Sequence, residues 1–80
     1  MKAAPLRLRR GQFVLTYFDT GALGPQPLYG LVIAAGPKAF RVRWESGLTN
    51  RIRQGHGGVA RIPATDLDDR ARAALLPEAR

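Results

Sequence analysis

The chain reads as an all-β domain, a five-stranded small barrel followed by a short C-terminal α-helix. Three observations predict this. Five short apolar runs, most of them alternating with polar residues, lie between residues 12 and 62 and are separated by Gly-, Pro- and Asp-containing turns. Pro63 stops the last of them, and a helix signal follows. At 80 residues without a cysteine, the chain has room for one core, which no disulfide or thiolate metal site supplements.

The elements follow in order. Residues 1–10 form a basic arm broken by Pro5, with Arg7, Arg9 and Arg10 near its end. Residues 11–63 form the barrel. Its first strand runs from Gln12 to Phe18, rich in β-branched and aromatic residues. Residues 19–27, with Gly or Pro at positions 21, 24, 25 and 27, read as a long loop. The second strand, Leu28 to Ala35, is apolar on both faces, as expected of a central strand or one that bends between sheets. Gly30 would permit such a bend or a close backbone approach. Gly36-Pro37-Lys38 turns into the third strand, Ala39 to Glu45. The fourth runs from Leu48 to Gln54, residues 54–58 turn, and Val59 to Ile62 makes a short fifth.

Residues 64–80 hold the helix and tail. Thr65 is the predicted N-cap with Asp68 at the capping-box position, and Asp66, Asp68 and Asp69 suit the positive end of the helix dipole. Leu67, Ala71, Ala74 and Leu75 form one apolar stripe, which is expected to plug an open barrel end or cover an edge strand. Pro77 ends the helix.

Residues 39–53 carry the most information, because the turn length decides which side chains share a face. A two-residue loop at Ser46-Gly47 would set Val42 opposite Arg51 and mix core with charge. A three-residue loop, Glu45 to Gly47, pairs Trp44 with Leu48, Val42 with Asn50 and Phe40 with Ile52, and ends on a left-handed residue that Gly47 suits. One face is then mostly apolar, with Asn50 its polar anomaly, expected to bond to backbone. The other face carries Arg41, Arg43, Arg51 and Arg53, with Arg41 opposite Arg51. Like charges facing across a sheet cost roughly 0.2–1 kcal/mol, which an anion would offset.

Net charge reinforces this. The chain carries +7, and the excess lies wholly in residues 1–63, where ten Lys and Arg face two acids, Asp19 and Glu45. A basic body of this kind attracts polyanions. GC-rich coding accounts for the preference for Arg over Lys, but not for the excess over acids. No apolar stretch approaches the ~18 residues of a membrane span, and the start lacks the apolar run of a signal peptide, so a cytoplasmic protein is expected.

The stretch Tyr29-Gly30-Leu31-Val32, Gly36, and Phe40-Arg41-Val42-Arg43-Trp44-Glu45-Ser46-Gly47 resembles the central hairpin of SH3-like barrels of Tudor-like and KOW-like type. In these a G-x-V strand precedes a V-x-W-x-x-G strand and turn. The likeness covers residues 12–62 loosely and 29–47 more closely. It implies the barrel fold, and partners among RNA, DNA, ribosomal or polymerase surfaces, or methylated peptides. The long first loop and the appended helix depart from the KOW pattern, and a divergent barrel of phage or mobile-element origin fits equally. Some plasmid-borne dihydrofolate reductases are also SH3-like barrels of this length, but their Val-Gln-Ile-Tyr pore segment has no counterpart in Asn50-Arg51-Ile52-Arg53 or Val59-Ala60-Arg61-Ile62.

Catalytic constellations are nearly absent. Ser46, the single serine, lies in a tight turn, and His56, the single histidine, sits in a glycine-rich loop without the partners of a triad or a zinc site. No cofactor is implied, and a non-enzymatic binding module is expected. Arg41, Arg43, Arg51 and Arg53, extended by Lys38 and by the Arg7, Arg9 and Arg10 arm, form the candidate nucleic-acid site, since guanidinium donates two hydrogen bonds to one phosphate. The alternative is a protein-interaction module or assembly subunit, meeting an acidic protein surface or a cationic peptide through the first loop. Tyr17, Asp19, Tyr29 and Trp44 would line its cleft. The chain is expected to be a monomer or a weak homo-oligomer.

Overall fold

Five antiparallel strands make one sheet: β1 (Phe13–Asp19), β2 (Pro25–Ala35), β3 (Ala39–Trp44), β4 (Thr49–Arg53) and β5 (Ala60–Ile62). The computed structural model describes residues 7–79, and the strands lie in the order β4-β3-β2-β1-β5. A short helix, α1 (Asp69–Leu75), follows between 3-10 turns at Ala64–Asp66 and Leu76–Ala79.

The β3–β4 hairpin has the three-residue loop. Gly47 (φ 94°) donates its N–H to the Trp44 carbonyl at 2.8 Å, and the Trp44 N–H reaches the Leu48 carbonyl at 2.8 Å. The register then pairs Phe40 with Ile52, Arg41 with Arg51 and Val42 with Asn50. A β-bulge between Val32 and Ala34 interrupts the β2–β3 ladder.

Residues 19–27 are not a long loop. β1 and β2 run on to the pair Asp19–Pro25, and only residues 20–24 turn. The prolines made this stretch look irregular, yet both fit the strand. Val32 exchanges both backbone bonds with the Gly11–Gln12 segment, at 2.8 and 2.9 Å, and Tyr29 accepts from the Glu45 N–H on the opposite side. By alternation, positions 25 and 27 aim their nitrogens away from β1, past the end of β3. A missing N–H there costs no ladder bond.

The middle of β2, Gly30 to Val32, is buried on both faces, as a central strand should be. On the inner face Leu8, Val14, Val32, Phe40, Val42 and Trp44 form one cluster, joined by Leu28, Ile52 and Val59. On the outer face Phe13 and Leu31 pack against Leu67, Ala71 and Leu75 of the C-terminal segment. The C-terminal segment therefore covers the β1–β2 half of the sheet and reaches Ile62 of edge strand β5, so it covers an edge strand only in part. The N-cap of α1 is Asp68, not Thr65. The Asp68 carboxylate accepts from the Ala71 N–H at 2.7 Å, while residues 64–66 form the 3-10 turn. Ala74 is exposed, so the buried stripe is Leu67, Ala71 and Leu75.

Gly30 makes the inner core possible. A Cβ at this position would collide with Val42 Cγ1 and lie 2.7 and 2.9 Å from Trp44 ring atoms. The close approach foreseen at Gly30 is thus a contact with Val42 and Trp44, the two inner side chains of β3 nearest its turn.

Leu8 changes the picture of the arm. It is a core residue, 4% exposed, between exposed Arg7 and Arg9. Gln54 fixes it, accepting from the Leu8 N–H at 2.9 Å and donating to the Leu8 carbonyl at 3.0 Å. Residues 7–10 consequently belong to the folded body; residues 1–6 lie outside the described residues.

Candidate nucleic-acid interface

The register that buries Phe40, Val42 and Trp44 forces their alternates onto the outer face. Arg41 and Arg43 project there from β3, Thr49, Arg51 and Arg53 from β4. Arg43 pairs with Leu31, which the helix segment covers, so the basic side chains share a face with α1. The helix takes the β1–β2 half and leaves the β3–β4 half to water. Arg41, Arg51 and Arg53 are exposed, whereas Arg43 is half-buried and interacts with its surroundings.

Bond alternation sharpens the Arg41–Arg51 contact. Trp44–Leu48 is a bonded position, and the Gln54 N–H reaches the Lys38 carbonyl at 2.9 Å, so the even residues of β3 and β4 exchange the ladder bonds. Arg41–Arg51 is then a non-bonded pair, in which opposed Cα atoms come to about 4.5 Å and side chains lie closest. No carboxylate stands across the strands from Arg41, Arg51 or Arg53: their partners are each other, Ala34 and Ala39. Beside this pair is a shallow concavity of about 460 Å³, lined by residues 34–41 and Arg51. Lys38, Arg41 and Arg51 therefore border one depression, with Arg43 and Arg53 outside its lining. Its other lining residues are mostly small: Ala34, Ala35, Gly36, Pro37 and Ala39, with Phe40.

Gln54 also donates to the Gly36 carbonyl at 3.0 Å, so one amide ties Leu8, the Gly36 turn and the end of β4 together. Arg7, Arg9 and Arg10 are exposed on the segment it anchors. Nothing in the sequence pattern signals this link. A glutamine at the end of a strand, ahead of a glycine-rich turn, gives no periodic signal.

The aromatic cleft does not form as expected. Trp44 is 6% exposed and belongs to the inner core, on the face opposite Tyr29, and its indole N–H donates to the Asn50 side chain at 2.7 Å. That bond accounts for Asn50, which serves the indole rather than backbone. Tyr17 (64% exposed) and half-buried Tyr29 do share the outer face, one position apart along the hairpin. Asp19 is spent on its own turn, accepting from the Gly21 N–H at 2.8 Å. Partial burial, and then the nearby Asp68, Tyr17, Glu45 and Asp66, raise the Tyr29 phenol above its ordinary pKa. The outer face thus carries acid near Tyr29 and base across β3–β4.

His56 is exposed, and its Nδ1 accepts from the Gly58 N–H at 3.0 Å, organising its own turn. Among the described residues no cluster of His, Asp or Glu is placed to hold a metal ion. Nor is any helix among them long and apolar enough to cross a membrane. Comparison with known proteins finds no matching family model, no similar curated protein and no similar solved structure.

Proposed function

We propose that the chain is a small non-enzymatic, SH3-like barrel of the cytoplasm that binds nucleic acid through its phosphate backbone. Lys38, Arg41, Arg51 and Arg53 make the primary contacts, Arg43 borders them, and Arg7, Arg9 and Arg10 extend the surface. One observation carries the reading. Arg41 and Arg51 face each other at a close, non-bonded position, beside an open concavity and with no carboxylate across the strands. Folding gains nothing from that pairing, and a phosphate between the two guanidinium groups would turn repulsion into a bidentate bridge. Closure of the sheet into a barrel is supported by the inner core, where Ile52 of one edge strand and Val59, next to the other, pack on the same cluster.

Five cations at the site, counting Arg43, give a salt slope of about −3.5 for a single strand, a loss of roughly 100-fold in affinity between 50 and 200 mM salt. Fluorescence anisotropy with a labelled oligonucleotide measures it. Arg41→Glu with Arg51→Glu should abolish binding while circular dichroism stays unchanged. A flat salt response, or a folded double variant that binds as before, refutes the reading.

A second reading has its own support at the other end of the molecule. Tyr17, Phe18 and Leu23 (77% exposed) all lie exposed toward the tip of the β1–β2 hairpin, Tyr17 and Phe18 on opposite faces, and Tyr17 offers a protein partner an aromatic contact there. Substituting Tyr17 would then cost binding to that partner, and substituting the arginines would not.

A further inference from the structure

We infer that the outer edge of β4 docks an extended acidic peptide segment of a partner protein, which joins the sheet as an additional strand. The docking itself rests on backbone groups and goes beyond the nucleic-acid reading; only the choice of an acidic occupant draws on the same arginines.

β4 ends the sheet, and its even residues spend their backbone bonds on β3. Thr49, Arg51 and Arg53 therefore turn their N–H groups outward, and all three residues are exposed. The Arg53 carbonyl is taken by the His56 N–H at 3.2 Å, while the outward groups of Thr49 and Arg51 have no strand partner among the described residues. Two donors and two acceptors at alternate positions form a template for a new strand.

Beyond β5, β1 also turns the backbone of Tyr17 and Asp19 outward, where Asp19 would repel an acidic strand; the edges of β2 and β5 are closed. Along β2 beyond the reach of β3, Pro25 and Pro27 occupy the positions whose N–H would point outward, and both backbone groups of Tyr29 are engaged by Glu45. Along β5, Phe13–Ile62 and Leu15–Ala60 face the bonded side of β1, which leaves only Arg61 turned out. Prolines guard one edge and brevity guards another. β4 has neither protection.

Charge selects the occupant. A strand added beside β4 brings every second side chain over Arg51 and Arg53, with Arg41 behind them. A second copy of this chain pairing edge to edge would set arginines against arginines, which is unfavourable. A strand with acidic residues at alternate positions sets carboxylates there instead.

The probe is a fluorescein-labelled peptide of about seven residues alternating Glu and Val, compared with an isomer whose glutamates are in one block. Measured by anisotropy, the alternating peptide should bind about tenfold tighter than the block isomer. Amide exchange by NMR on the wild-type chain should show the Thr49 and Arg51 N–H groups protected about tenfold by the peptide, since each gains an acceptor. Thr49→Pro removes one outward N–H while keeping every arginine and every β3–β4 bond. It should weaken the peptide about tenfold and leave oligonucleotide binding within about twofold. Should that variant unfold, the wild-type exchange measurement decides alone. Equal binding of the two isomers, peptide binding without protection at the two amides, or sedimentation showing that β4 pairs with a second copy would each overturn the inference. Failure of the nucleic-acid reading would show in the oligonucleotide titration and leave amide protection intact.

Discussion

Gly30→Ala tests whether the inner core is built around a missing side chain. The added Cβ would overlap Val42 Cγ1 and sit 2.7 Å from the nearest Trp44 ring atom, where carbon–carbon contacts prefer about 3.5–4.0 Å. Neither neighbour yields easily: Val42 is fully buried, and Trp44 is 6% exposed with its indole held by Asn50. Overpacking of this kind costs about 1–3 kcal/mol, and two locked neighbours argue for the upper half of that range. Alanine recovers about 0.5–1 kcal/mol through lower unfolded-chain entropy. The net expectation is a loss of roughly 1–2 kcal/mol. With a urea m-value near 1 kcal/mol/M for a chain of this size, the midpoint should fall by about 1–2 M at unchanged slope. Adding Val42→Ala removes the colliding methyl, so the double variant should lose less than the sum of its parts, by about 1 kcal/mol or more in the cycle. A Gly30→Ala protein as stable as the parent, or strict additivity with Val42→Ala, would refute the close approach.

Two further outcomes follow from the C-terminal segment and its neighbour. Asp68→Ala should cost about 1 kcal/mol by thermal melting, because the Ala71 N–H loses its cap, whereas Thr65→Ala should cost much less. Tyr29 has a folded-state pKa above the ordinary value of 10.0, so its contribution is fully present below pH 10 and lost as pH rises beyond it. The unfolding midpoint should decline more steeply above pH 10 in the parent than in Tyr29→Phe, and equal slopes would contradict the assignment.

What was legible in the sequence depended on whether a residue's role is local. Turn length and Gly47 set the β3–β4 register, and with it the face of each arginine. The bulky alternates of β2 announced a strand buried on both sides. Other features depended on neighbours distant in sequence. Pro25 and Pro27 signal a loop unless it is known that β3 ends before reaching them. Leu8 looks like part of a basic arm until Gln54, 46 positions away, is seen to bind both its backbone groups. Trp44 and Tyr29 read as neighbours by composition, yet the β2–β3 pairing of Gly30 with Trp44 puts them on opposite faces. The helix start failed for a subtler reason. Thr65 and Asp68 satisfy the capping-box pattern, but the 3-10 turn at 64–66 uses up the first candidate and leaves Asp68 to cap.

The division of the outer face deserves a physical reason. α1 is seven residues long and, with Leu67 just before it, covers only as much sheet as Leu67, Ala71 and Leu75 reach, which is Phe13, Leu31 and their flanks. The β3–β4 half stays wet, and water alone would be satisfied there by any mixture of polar side chains. Interspersed signs would be the more stable choice, since an acid opposite Arg41 would exchange a repulsive pair for an attractive one. Instead Arg41, Arg51 and Arg53 stand together, and Glu45, the acid nearest in sequence, turns its carboxylate to the Tyr29 N–H at 3.4 Å. GC-rich coding would favour arginine over lysine but would not produce this segregation. If the face were only solvated surface, Arg51→Glu should stabilise the domain through its pairing with Arg41. If the segregation serves an anion, the same substitution should gain stability and lose binding together. Measured on one variant, those two quantities separate the explanations: a gain in stability with binding intact would leave the arginine face without a ligand to explain it.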